Sequence, residues 1–347
     1  MRFCTVLLLS FLPFTRAILR LKFQHWFTSY EAYEVEKVAQ CQPLLMNYFE
    51  NNRTTACQKP CACAADCLLQ GLPGTVQSNF ASAQVLLGFL PASLVFVGPT
   101  IAEVAALSTY RPLLAILIAL GSPSINLYRI LQHIDVPAPF TRPTSTSSQQ
   151  WPMWLARQDM HLKILIRTLS YIGAMAAISL NVRNSIYTDL RTISGWRCGA
   201  LFMPLVWSLL AVVVHGWGMI AIRVRSQCRY SYRPSLQYAF RSELFLKVGT
   251  GKDCLLSELL FSLASACALA HLVFGVLDLS SLVFISTLEA LQLFVWYLCS
   301  ALLCQCILAM ELAIMRYELS RRPDTGNGAS SGYTRVQKSA ISRAHTA

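Results

Sequence analysis

Residues 80–121 read FASAQVLLGFLPASLVFVGPTIAEVAALSTYRPLLAILIALG. The first part, Phe80 to Gly98, carries no charge and has the length and apolarity of a membrane span. Pro91 predicts a kink within it. The second part, Pro99 to Gly121, is broken by Glu103, Arg111 and Pro112, and its uninterrupted stretch Leu113–Gly121 is too short to cross a bilayer alone. The reading of this stretch sets the architecture. Two crossings joined by a hairpin at Gly98-Pro99 give six spans. One crossing followed by a re-entrant or surface helix gives five.

Four further apolar runs follow, at Ile164–Asn181, Cys198–Ile222, Leu255–Leu277 and Thr287–Ile314. In lipid each backbone polar group must be satisfied within its own segment, so the runs are expected as helices. Small residues recur in them, at 173–177 (GAMAA) and 262–270 (SLASACALA), where membrane helices approach closely. The chain of 347 residues is 54% hydrophobic and 13% charged, against about 25% charged in a soluble domain. The fold expected is all-α: a polytopic transmembrane bundle of five to six spans over 78–315, one of them re-entrant, with a small Cys-rich exterior segment over 18–77.

The ends and loops orient it. MRFCTVLLLSFLPFTRA (1–17) has the layout of a secretory signal, with an uncleaved anchor as the alternative. Asn52-Arg53-Thr54 is an N-glycosylation acceptor pattern. Arg223, Arg225, Arg229, Arg233, Arg241, Lys247 and Lys252 crowd the 223–254 loop, and Arg316, Arg321, Arg322, Arg335, Lys338 and Arg343 the tail, whereas the turn DLSS (278–281) has no basic residue. Basic loops stay cytoplasmic. The 223–254 loop, the polar tail 316–347 and the 123–163 loop therefore face the cytoplasm, and 182–197 faces out. A lumenal N-terminal segment then needs an odd number of crossings before 123–163, which favours five full spans plus a re-entrant helix. The expected location is an integral membrane of the secretory pathway or the plasma membrane. The net charge of +12 reflects this loop bias, and no recognition motif for nucleic acid accompanies it. Anionic lipids are the expected partners of 223–254, with Cys228 and Cys254 as palmitoylation candidates.

DCLLQGLPG (66–74), the stretch quoted above with the SPS that follows it, and FGVLDLSSLVFISTLEAL (274–291) resemble segments of a group of fungal multi-pass membrane proteins. The resemblance covers 67–130 and 270–315. It implies membrane topology and a fungal origin, and it brings no activity with it.

Catalytic signatures such as G-x-S-x-G, H-E-x-x-H and a Walker loop are absent from the sequence. No cofactor or metal is expected. Ionisable residues within spans often mark a pathway. Glu258 and Glu311 are expected near the inner ends of their spans, paired with Arg316 or the basic loop. His215 is expected in the inner part of its run, His271 in the outer part of its own, and Glu289 near the outer face. Glu103 with Arg111-Pro112 resembles the break in a transporter's discontinuous helix. The expected function is therefore non-enzymatic sensing, scaffolding or interaction with an unidentified protein partner, with a transporter or channel built on Glu103/Arg111 as the alternative.

The stretch CQKPCACAADC (57–67) places Cys57, Cys61, Cys63 and Cys67 at x3, x, x3 spacing. A zinc ribbon would show C-x2-C pairs, and a lumenal setting favours disulfides. Cys41 makes five, and Cys198 on the same side supplies a sixth. Cys61 and Cys63, two residues apart, are not expected to pair with each other, and one of them is expected to reach Cys41. The expectation is a disulfide-stapled cap seated on the first span.

Overall fold

The structure, a computed structural model, describes residues 21–52, 57–127, 154, 160–229 and 255–321. The segment 1–17, the tail beyond 321, Arg53 and Thr54 of the glycosylation pattern, and most of the 223–254 loop with Cys254 lie outside the described residues.

Three short helices form a cap on the bundle: α1 (Glu31–Gln40), α2 (Gln42–Glu50) and α3 (Pro60–Leu69). The bundle follows with α4 (Gly74–Val95), α5 (Ile101–Tyr110), α6 (Pro112–Gly121), α7 (Met160–Arg191), α8 (Met203–Arg229), α9 (Leu255–Ser280) and α10 (Thr287–Arg321). Five of these helices are long and apolar enough to cross a membrane: α4, Ile164–Arg191 of α7, Met203–Arg225 of α8, α9 and Thr287–Met315 of α10. Large apolar side chains such as Val85, Phe89, Ile172, Val273 and Leu288 stay exposed around them. A lipid-facing belt requires that pattern. Helix α7 runs ten residues beyond the expected Asn181, so most of the expected 182–197 loop is helix. Pro91 is accommodated inside α4.

The 80–121 stretch resolves into the end of the long helix α4, a break, and a hairpin of the two short helices α5 and α6. Thr287 donates to Asn79 Oδ1 at 2.8 Å, which sets the cap-side end of α4 level with the start of α10. At the other end, Pro91 and Val95 line a small gap with Ala268, His271 and Leu272, well inside the bundle. The chain breaks at 96–100 and resumes as α5. A capping box starts that helix: Thr100 Oγ1 accepts from Glu103 N–H, and Glu103 Oε2 accepts from Thr100. Arg111 precedes Pro112, which disfavours a helical conformation, so α5 stops there. Pro112 opens α6 at a first-turn position where its missing N–H costs nothing. The two helices form a hairpin whose ends meet: Asn126 N–H donates to Pro99 O at 3.0 Å, and Gly98 packs against Ser124.

The non-helical backbone at this depth is covered by protein. Asn181 of α7 donates to Leu120 O, and Ser300 of α10 donates to the carbonyls of Gly121 and Ala177. Irregular backbone inside a membrane protein requires such partners. A short antiparallel pair, β1 (Ile193–Ser194) with β2 (Leu282–Val283), joins the two turns beneath the cap.

Candidate functional site beneath the exterior cap

The cap is built by aromatic packing and disulfides. Phe23, Leu45, Tyr48, Ala64, Leu68, Phe80, Ile193 and Phe284 form one buried cluster, so the cap's core includes residues of the bundle itself. Three disulfides hold it: Cys41–Cys67, Cys57–Cys63 and Cys61–Cys198, with Cα separations of 6.0, 6.3 and 5.8 Å. Cys41 bonds Cys67 rather than Cys61 or Cys63, because the α2–α3 packing brings the start of α2 over the end of α3. The Cys61–Cys198 bond fastens the cap to the turn before α8. Among the described residues no cluster of metal-ligating side chains forms.

A cavity of about 390 Å³ opens between the cap and the C-terminal end of α7, lined by Phe23, His25, Trp26, Glu31, Tyr187 and Arg191 among others. Arg191 lies over the Tyr187 ring at 3.7 Å, a cation–π stack. Behind the cavity wall, Glu34 of α1 is 1% exposed and neither carboxylate oxygen has a hydrogen-bond partner among the described residues. Burial raises its carboxyl from 4.5 to about 7, with Lys37 pulling the other way.

Next to Phe23, Lys22 turns down into the bundle. Its ammonium lies 3.0 Å from Asp189 Oδ1 and 3.0 Å from Thr192 O, and it also donates to the Asp189 carbonyl. Burial lowers the Lys22 pKa, opposed by the Asp189 charge and hydrogen bond and by Asp278. Asp278 of α9 is fully buried, and neither of its carboxylate oxygens has a partner among the described residues. Below lies a buried polar track. Tyr297 Oη and Ser185 Oγ are 2.9 Å apart, Ser185 and Ser208 3.3 Å, and Asn184 donates to Leu293 O. Trp207 stacks on His271, whose Nε2 meets Trp207 O at 2.9 Å. His215 is fully buried, with both ring nitrogens unpartnered among the described residues.

The expected candidates thus fall in separate places. Glu103 serves the capping box. Arg111 Nη1 bonds Glu311 Oε1 at 2.8 Å, at the tip of the re-entrant hairpin. Glu311 lies about 36 Å along α10 from Thr287 at 1.5 Å per residue, near the end of the bundle away from the cap. Arg111, which the hairpin delivers to it, is a partner of Glu311 among the described side chains, and the expected partners Arg316 and most of the basic loop lie outside them. Glu289 caps the start of α10 at its cap side, accepting from Ser286 and from Ser29 N–H of the cap. Glu258 sits in the first turn of α9. Asn52 is exposed just past α2.

Lys22, Asp189, Asp278, Tyr297 and Trp207 were not among the sequence candidates. Asp278 looked like part of an exterior turn and Asp189 like part of a loop. One signal was present: Asn181, Ser185, Thr188, Asp189 and Thr192 recur at helical spacing, a polar stripe continuing the apolar run.

Comparison of the chain with protein-family models, with curated proteins and with solved structures found no match in any of the three.

Proposed function

We propose that this chain is an integral membrane protein that recognises a ligand or partner through its exterior cap, a sensing or interaction role rather than catalysis. The observation that carries the reading is the cavity between Trp26, His25, Tyr187 and Arg191: most of its wall belongs to the cap, and Tyr187 and Arg191 of a membrane-crossing helix close it. A ligand seated there would touch both parts at once. The Cys61–Cys198 bond limits how far the two can separate. In this reading the cap is lumenal or extracellular, Asn52 is glycosylated, the signal at 1–17 delivers the chain to the secretory pathway, and the C-terminus is cytoplasmic. Transport through Glu103 and Arg111 fits less well, since one side chain is spent on a helix cap and the other on an ion pair.

The test uses full-length protein in its native membrane with a photo-reactive residue at Val35, on the cavity rim. A discrete crosslinked species that disappears in Arg191→Ala is expected. Solute flux through reconstituted vesicles that Arg111→Ala abolishes, with no specific crosslink at Val35, would replace this reading by the transporter.

A further inference from the structure

We infer that Asp278 and Asp189, together with Lys22, form a binding site for one small monovalent cation, a proton or an alkali-metal ion, at the outer end of the bundle.

The argument is a count of charges and donors. Two carboxylates and one ammonium are buried together: Lys22 is 2% exposed, Asp189 2% and Asp278 0%. With all three ionised the cluster holds one uncompensated negative charge, and an unpaired buried charge is among the costliest arrangements a protein can contain. Lys22 cannot relieve it. An ammonium has three N–H donors, and Lys22 has three acceptors already: Asp189 Oδ1, Asp189 O and Thr192 O. Tyr297, the titratable group that faces the cluster from α10, is engaged with Ser185. His271, two turns below Asp278 on α9, is engaged with Trp207 O. The serines nearest in sequence are occupied too: Ser281 donates to Asp278 O and contacts Ser194.

Three carboxylate oxygens are left over: Oδ1 and Oδ2 of Asp278 and Oδ2 of Asp189, each without a hydrogen-bond partner among the described residues. They come from two helices whose ends meet: Ser281, which donates to Asp278 O, lies 2.9 Å from Ser194 Oγ, and Thr192, two residues before Ser194, accepts from Lys22. A single positive charge at these oxygens would complete the cluster. Two carboxylates without a third metal-ligating side chain do not make a site for a transition metal, which takes three or four such ligands. A singly charged, oxygen-seeking ion or a proton fits the net charge of minus one.

Location gives the site its access. Asp278 is two residues from the end of α9 and Asp189 two from the end of α7, so both lie at the outer boundary of the bundle. Lys22 is their covering group, and it is joined in sequence to Phe23, which lines the exterior cavity.

The test uses full-length protein in lipid nanodiscs with Glu34→Gln as background, so that the cap's own titration does not enter. Thermal unfolding is followed in sodium chloride against choline chloride at constant ionic strength, and separately from pH 5 to 8. An alkali-ion site predicts an unfolding constant that falls about tenfold per decade of sodium above saturation, and that loses this dependence in Asp278→Asn. A proton site predicts no sodium dependence and a one-proton linkage with pH, again lost in Asp278→Asn. Should that variant not fold, infrared spectra of the background protein decide. A protonated carboxylic-acid C=O band, or a carboxylate band displaced by sodium, supports the site. Absence of both bands, or sodium and pH responses that persist unchanged in Asp278→Asn, overturns it.

Discussion

Glu34 shows how a single buried carboxyl ties the cap to pH. Its folded pKa of about 7 stands above the ordinary 4.5, so between those values the folded state holds a proton that the unfolded state releases. Stability of the cap is therefore greatest below about pH 4.5, falls as pH rises toward 7, and levels off beyond. The loss is on the order of 2–3 kcal/mol. Glu34→Gln is expected to flatten this dependence, measured by hydrogen exchange of α1 and α2 across that range. At the end of the bundle away from the cap, Arg111→Ala takes the guanidinium from Glu311, which is fully buried. Removing one partner of a buried ion pair costs about 3–5 kcal/mol. Arg111→Ala together with Glu311→Gln should recover much of that, and a thermal-unfolding cycle over the four variants measures it. If the double variant unfolds no later than Arg111→Ala alone, the pair is not what holds the hairpin tip.

Among the elements, the α5–α6 hairpin depends on close backbone approach at its neck. A Cβ on Gly98 would stand 2.9 Å from the backbone of Ser124. Backbone cannot swing aside as a flexible side chain can, so Gly98→Ala is expected to cost about 1–3 kcal/mol and to raise protease or exchange sensitivity at 96–127. Ser300→Ala tests the same neck from α10, because it removes the hydroxyl that serves both Gly121 O and Ala177 O. A loss of about 1–3 kcal/mol follows from leaving the Gly121 carbonyl at the end of α6 without that donor, while Ala177 O keeps its partner within α7. Gly98→Ala protein indistinguishable from the parent in both assays would mean that the neck has slack the packing does not show.

For the whole molecule, the covalent link between cap and bundle matters most. The Cys61–Cys198 bond spans 137 residues of sequence, and removing a long-range disulfide typically costs about 2–5 kcal/mol. The pair Cys61→Ser and Cys198→Ser is expected to leave the bundle folded and to free the cap, seen as new proteolysis in 21–73 and loss of the cavity between Trp26 and Arg191. With all five long apolar helices crossing, the cap and the end of α10 would lie at opposite faces. Glycan at Asn52 and protease access to the tail only from the other side are the expected topology. A glycan-free Asn52 in secretory membranes combined with a tail cleaved from the same side would contradict it.

Much of the bundle was legible because long apolar runs have few alternatives: lipid enforces helices, and length fixes which of them can cross. The cysteines of the cap were also legible as a disulfide set. Which cysteine bonds which was not, since six of them admit fifteen pairings and only the packing of α2 on α3 places Cys41 against Cys67. The break in 80–121 was visible as Glu103, Arg111 and Pro112. Their roles as a cap, a hairpin tip and a helix start came from where the hairpin lands, next to Glu311 some two hundred residues away. The buried acids were hidden for a different reason. Asp189 and Asp278 sit where runs end, and near a run's end a carboxylate reads as exposed to water. The cap covers them, and a cover supplied by a distant segment leaves no local pattern. By itself the sequence determined that the chain is a helical membrane protein with a disulfide-bonded segment, because hydropathy and cysteine content act locally. The tertiary structure decided which charges meet and which stay without a counter-charge, because burial and pairing depend on segments far apart in the chain.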